Sequence, residues 1–148
     1  MSTTDFLVNI RGMMKLHESM LKEICERYHL TLIEANIISF LYNNPGKDTA
    51  GDIVELRMLS KGNVSQAVES LIQKSLLQRK PDKEDRRKIH LQLLPKAKPI
   101  TDEVEICKEQ YQKDIFDGFS SQEKAQFEKL NRRIMENVKN ARKRREHR

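Results

Sequence analysis

Lys61, Asn63, Ser65 and Gln66 stand along one side of a short segment whose other side is apolar, and these side chains are suited to reading base pairs. From a helix in a DNA major groove, Asn or Gln can pair bidentately with adenine and Lys can donate to guanine. Gly62 among them costs up to about 1 kcal/mol of helix propensity, a cost that a close approach of backbone to DNA would explain. Ser60 and Thr49 can each cap a helix and donate to a phosphate. Farther along, the run PDKEDRRK carries Lys83, Arg86, Arg87 and Lys88, with Asp85 among them. Arg87 is the candidate for a minor groove, where a narrow A/T-rich duplex concentrates negative potential. Asp85, two residues earlier, can hold that side chain in place. Lys83, Arg86 and Lys88 suit phosphate contacts that carry no sequence information. Helix faces and hairpin tips are also commonly polar for solvation alone; the direct succession of the two basic elements weighs against that plainer account.

Such groups need a frame. Val64, Ala67, Val68, Leu71 and Ile72 repeat at helical spacing and turn one stripe toward a core, which predicts a helix over 60–75 opened by Ser60. LLQRK, the turn Pro81 to Lys88 and IHLQL then read as a β-hairpin, a wing over 79–93. Upstream, Thr31 and Glu34 fit a capping box that opens a helix through Ala35, Ile37, Ile38 and Leu41, closed by NNPG. Thr49 with Asp52 repeats the pattern more weakly and starts a short helix to Leu56, with Arg57 to Leu59 as the turn. Two short helices joined by a tight turn make a helix-turn-helix.

Long helices flank this unit. From Asp5 to about Tyr28 one apolar row runs Phe6, Ile10, Met13, His17, Met20, Ile24, and a second runs Leu7, Met14, Leu21, Tyr28. Two rows exceed what one small core needs, and a second subunit is the expected recipient. A fifth helix through Ile100, Val104, Cys107, Tyr111 and Ile115 begins near Pro99 or a turn earlier and breaks at Gly118. SSQE at Ser120 to Glu123 caps a sixth, through Phe127, Leu130, Ile134, Val138 and Ala141. The expected fold is mainly α with a small β-hairpin wing. Residues 31–98 form the winged helix-turn-helix, with dimerisation helices in 1–30 and 99–148.

Charge is segregated along the 148 residues. From Arg57 to Lys98 there are 11 Lys/Arg against 4 Asp/Glu, and from Lys139 to Arg148 there are 6 against 1, while the whole chain is only +6. The remainder is therefore acidic, and a polyanionic partner accounts for this better than general solubility does. The basic tail is a further candidate for phosphate contact, although terminal charge runs are commonly just solvated. No apolar run nears the roughly 20 residues that span a bilayer, and the N-terminus lacks a signal-peptide core, so no membrane partner and a cytoplasmic, nucleoid-associated location are expected. Cys25 and Cys107 stand alone, as small core residues do. No Gly-rich phosphate loop, GxSxG or HExxH is present, so no enzyme, cofactor or metal is expected.

The order of elements, with Asp52 to Leu93 (DIVELRMLSKGNVSQAVESLIQKSLLQRKPDKEDRRKIHLQL) and Asp85-Arg86-Arg87 matching the wing motif Asp, any residue, Arg, resembles the MarR family of bacterial transcription regulators. That resemblance implies a homodimer whose first, fifth and sixth helices interlock. It also implies a pseudo-palindromic double-stranded DNA operator and a small-molecule effector held where the dimer helices meet the DNA-binding lobe. His17 and Tyr28 are then pocket candidates, His17 being otherwise a core histidine. The chain departs from the family after the second wing strand, where Leu94 and Ala97 replace a frequent Thr and Gly, so the fifth helix is expected to start differently. Lys88 replaces a usual small residue after the wing Arg. The reactive cysteine of the hydroperoxide-sensing branch has Leu7 in its place, and His17, His29, His90 and His147 are scattered without the spacing of a zinc site. The expected function is a ligand-responsive repressor. The alternatives are a dimeric protein-interaction winged helix that does not bind specific DNA, or a sequence-independent chromosome-binding protein.

Overall fold

The computed structural model describes residues 1–57 and 59–147. Two compact units divide the chain, Met1–Tyr111 and Gln112–Arg148. The first holds a helical core with a two-stranded wing.

Helix α1 spans Thr3–Tyr28, starting two residues earlier than expected because Ser2 accepts a hydrogen bond from the Asp5 amide at 3.0 Å. It ends where His29 turns left-handed at φ 55° and donates its amide to the Cys25 carbonyl. The capping box at Thr31 and Glu34 is present in both directions and opens α2, Leu32–Asn43. Thr49 and Asp52 also cap each other, at 3.1 and 3.2 Å, and start α3, Ala50–Arg57. The expected turn from Arg57 to Leu59 includes Met58, which lies outside the described residues.

Helix α4 spans Lys61–Gln73, with Ser60 as its cap. It stops short of the expected 75 because Ser75 sits at φ 60°, a left-handed geometry that ends a helix as a C-terminal cap does. Strands β1, Leu77–Pro81, and β2, Ile89–Leu93, pair antiparallel from Leu77 opposite Leu93 to Pro81 opposite Ile89. Pro81 therefore belongs to the strand and not to the turn. In a two-stranded ribbon both strands are edges, where proline's missing N–H is tolerated. The backbone of Asp48 adds to β2 by accepting the Leu91 amide at 2.7 Å.

After the wing, Leu94 provides no side-chain cap. Pro95 instead leads a 3₁₀ turn, Pro95–Ala97, that runs into α5, Lys98–Ile115. Proline suits this first position because its φ is already helical and no N–H is lost. The core of the first unit gathers Leu21 and Ile24 of α1, Ile37, Ile38 and Phe40 of α2, Ile53 of α3, Val64, Val68 and Leu71 of α4, and Ile100 and Val104 of α5. Leu77 and Leu91 seal the wing against it. Cys25 and Cys107 are free, half-buried thiols against this core.

In the second unit Gly118, at φ 79°, separates α5 from α6, Ser121–Glu146, which Ser120 and Glu123 open with a third capping box. Phe116 meets Phe119 and Phe127 edge to face, both at 5.5 Å. Along α6, Phe127, Leu130, Ile134 and Val138 form an apolar stripe that stays exposed in the single chain, as do Leu7 and Met14 on α1.

Candidate nucleic-acid interface

Helix α4 buries Val64, Ala67, Val68 and Leu71 and leaves Lys61, Gly62, Asn63, Ser65, Gln66 and Glu69 exposed. At its N-terminus the Ser60 hydroxyl accepts the Asn63 amide at 3.1 Å, leaving that oxygen at the exposed start of the helix. A Cβ built on Gly62 would meet nothing within 4 Å, so nothing inside the chain calls for glycine there. Thr49 is half-buried, its oxygen engaged with the Asp52 amide.

What holds α4 in place is at its other end. Glu34, only 1% exposed, takes the Thr31 amide at 2.9 Å as the second half of the α2 capping box. The same carboxylate receives the Ser70 hydroxyl at 2.9 Å and the Lys74 ammonium at 3.0 Å on both oxygens. Lys74 also reaches the His29 carbonyl at 3.1 Å. Burial by itself would raise the Glu34 pKa; the bonds from Thr31, Lys74 and Ser70 outweigh it and hold the carboxyl below its usual range. The last turn of α4 is thus anchored to the first turn of α2 and the end of α1. On the exposed face Glu69 pairs with Arg79 of β1, so neither is a free charge for a phosphate.

At the wing tip one aspartate organises the turn. Asp82 accepts the Glu84 amide at 3.1 Å and the Asp85 amide at 2.9 Å on its Oδ2. Asp85 Oδ1 in turn accepts the Arg87 amide at 2.9 Å and lies 3.7 Å from Arg87 Nε. The Arg87 side chain is 95% exposed and projects from a tip that also exposes Lys83, Arg86 and Lys88.

The end of β2 next to the tip carries a group the sequence did not reveal. His90 places Nδ1 2.6 Å from Asp48 Oδ1 and Nε2 2.7 Å from Asp82 Oδ1. The bond to Asp48 and then that to Asp82 raise the pKa of the imidazole. The Asp82 carboxyl is pulled far below its ordinary value, by His90 first and then by the Asp85 and Glu84 amides. A strand histidine offered no motif, and Asp48 lies 42 residues away in the chain.

The two pocket candidates lie apart. His17 packs edge-on against Tyr111 at 5.3 Å, and the Tyr111 hydroxyl donates to the Met13 carbonyl at 3.1 Å. Tyr28 sits three turns along α1 at the edge of the core. Burial, then the nearby Arg57 charge, push the His17 pKa down. The Arg57 guanidinium lies 5.7 Å from the Phe40 ring centre, with its Nε buried and without a hydrogen-bond partner among the described residues. Among the described residues no helix is long and apolar enough to cross a membrane.

Residues 28–88 match the model of the MarR family. Over 118 residues, 80% of each chain, the sequence is 27% identical to an uncharacterized HTH-type transcriptional regulator of Bacillus subtilis (strain 168), YsmB. The fold is similar to that of a MarR family transcriptional regulator from Listeria monocytogenes complexed with 26mer DNA. That match has a TM-score of 0.77 at 16% identity and covers 91% of this chain and 89% of the other. It is also similar to Bordetella bronchiseptica BpsR, whose DNA binding is regulated by 6-hydroxynicotinic acid. Here the TM-score is 0.62 at 21% identity, with 90% and 93% of the two chains covered.

Proposed function

We propose that the chain, whose residues 28–88 match the MarR family model, is a homodimeric, sequence-specific DNA-binding regulator that acts as a ligand-responsive repressor. The carrying observation is the joint presentation of two exposed elements. One is the polar N-terminal half of α4, and the other is a basic wing tip where Asp85 holds the backbone amide of Arg87. In this reading Lys61, Asn63, Ser65 and Gln66 read base edges in the major groove, and Gly62 lets the backbone approach. Ser60, Thr49, Lys83, Arg86 and Lys88 hold phosphates, and Arg87 enters the minor groove. The DNA complex of the Listeria monocytogenes protein supports this use of the fold.

Dimerisation rests on the exposed apolar stripe of α6 and on Leu7 and Met14 of α1. A second copy is the partner for which this reading reserves them. Two-fold symmetry then sets half-sites about one helical turn apart, roughly 10 bp. An effector would act near His17, where Tyr111 and the unpaired Arg57 Nε add aromatic and cationic character. Regulation of BpsR by 6-hydroxynicotinic acid supports a ligand-responsive role.

The test is a gel shift of the full chain on DNA from upstream of its own gene, with and without excess unrelated duplex. A shift that resists the competitor is the expected result. Equal loss to any duplex would leave sequence-independent binding, and no shift would leave a protein-interaction winged helix.

A further inference from the structure

We propose that His90 is a positioning residue for the wing, bridging Asp48 and Asp82 as an imidazolium, so that the DNA contact of Arg87 depends on the His90 proton. The inference rests on the function proposed above and extends it to a residue outside the Asp-x-Arg motif.

Stoichiometry of donors carries the argument. Both ring nitrogens face carboxylate oxygens, at 2.6 and 2.7 Å. An ionised carboxylate only accepts, and a neutral imidazole has a single N–H to give. Both contacts are therefore hydrogen bonds only when both nitrogens are protonated. After loss of one proton, a ring lone pair faces a carboxylate lone pair, and one of the two contacts must open.

Each contact reaches farther than the imidazole. Asp48 belongs to the segment before α3, and its carbonyl already accepts the Leu91 amide of β2. Asp82 uses Oδ1 on His90 and Oδ2 on the amides of Glu84 and Asp85, and Asp85 then holds the Arg87 amide. A chain of bonds thus runs from the helical body through His90 to the wing arginine. Other charges face the same concavity: Lys80 stands opposite His90 on β1, and Lys83 and Glu84 come from the tip. The lysines oppose an imidazolium and Glu84 favours it, but the two aspartates in direct contact dominate and the pKa is raised. A raised pKa means that the clamp is complete below the ordinary histidine value of about 6.5 and is lost as pH climbs through the raised one.

The experiment measures affinity for the operator from about pH 6 to about pH 9 at constant ionic strength, the range in which a histidine switches. It compares the wild type with His90→Gln, Arg87→Ala and the double variant. Wild-type affinity is expected to fall about two- to tenfold across the range, the worth of one hydrogen bond. His90→Gln should bind more weakly at low pH and show a flat profile. Arg87→Ala should also be flat, and adding His90→Gln to it should change nothing. A wild-type profile that is flat, or a pH dependence that survives in either single variant, overturns the proposal.

A second readout needs no DNA. In NMR spectra of the free chain, the amides of Glu84, Asp85 and Arg87 should shift with the His90 titration in the wild type and stay still in His90→Gln. Amides that ignore the His90 titration would overturn the clamp itself. A chain that binds no duplex while those amides follow His90 would refute the DNA function and the DNA role of His90, with the clamp intact.

Discussion

Glu34→Ala removes the group that anchors the end of α4. Glu34 is 1% exposed and satisfies four donor contacts, one from the Thr31 amide, one from Ser70 and two from Lys74. Losing the capping half costs about 1 kcal/mol, and losing a charged hydrogen bond costs about 1.5–3 kcal/mol. A broken buried ion pair can cost about 3–5 kcal/mol when the surviving charge stays buried. Here Lys74 has a side chain 37% exposed and can turn to water, which places the loss near the lower end. The expected destabilisation is about 3 kcal/mol, or a fall in Tm of about 6–12 °C for a chain of this size. Glu34→Gln keeps an acceptor for Thr31 but loses the charge on Lys74, and should cost about 1–2 kcal/mol. Urea unfolding at fixed protein concentration measures both, because dimerisation would make the midpoint concentration-dependent. The sign with pH also follows. A carboxyl whose folded pKa is lowered contributes stability above its unfolded value of about 4.3, and that contribution fades as pH falls through the folded one. The wild-type advantage over Glu34→Gln should therefore shrink in acid. A Glu34→Ala chain within about 1 kcal/mol of wild type would refute the anchoring role, since that is no more than a surface cap is worth.

Arg87→Ala should weaken operator binding at least tenfold, about 1.4 kcal/mol. It should leave the far-UV spectrum and the urea midpoint unchanged, because the side chain is 95% exposed; an unchanged titration would remove the wing from recognition. Gly62→Ala meets no atom within 4 Å and should stabilise α4 by up to about 1 kcal/mol. The same change should lower operator affinity if the backbone of the helix lies close to DNA. Affinity equal to or above wild type would rule out that close approach.

The parts of this fold that were legible in the sequence are those written within one turn of chain. Thr31 with Glu34, Thr49 with Asp52, Ser60, and Ser120 with Glu123 each open a helix by contacts three residues apart, and the structure forms all of them. The apolar rows of α2 and α4 mark core faces for the same reason, whereas that of α6 stays exposed in the single chain. The structure departs from expectation in local geometries that residue types only weakly dictate, such as Ser75 turning left-handed to end α4 and Pro81 staying in β1. What stayed hidden was every bond that spans the chain. Glu34 announced itself as a cap, yet its partners Ser70 and Lys74 lie 36 and 40 residues on. The same division runs through the candidate site. Asp85 beside Arg87 was readable because the pair is local, although the short bond is to the Arg87 backbone amide and the side chain lies 3.7 Å away. Asp48 could not be read, although through His90 and Asp82 it joins the tip to the helical body. Exposed loop tips are mobile unless tied down, so a wing arginine is placed by whatever fixes its turn. In this chain the turn is fixed by Asp82 within the wing, and through His90 that aspartate is tied to Asp48 before α3. Asp48→Ala should therefore shift the Arg87 amide in NMR spectra more than Lys83→Ala does, although Lys83 is nearer in the chain; equal shifts would refute that tether.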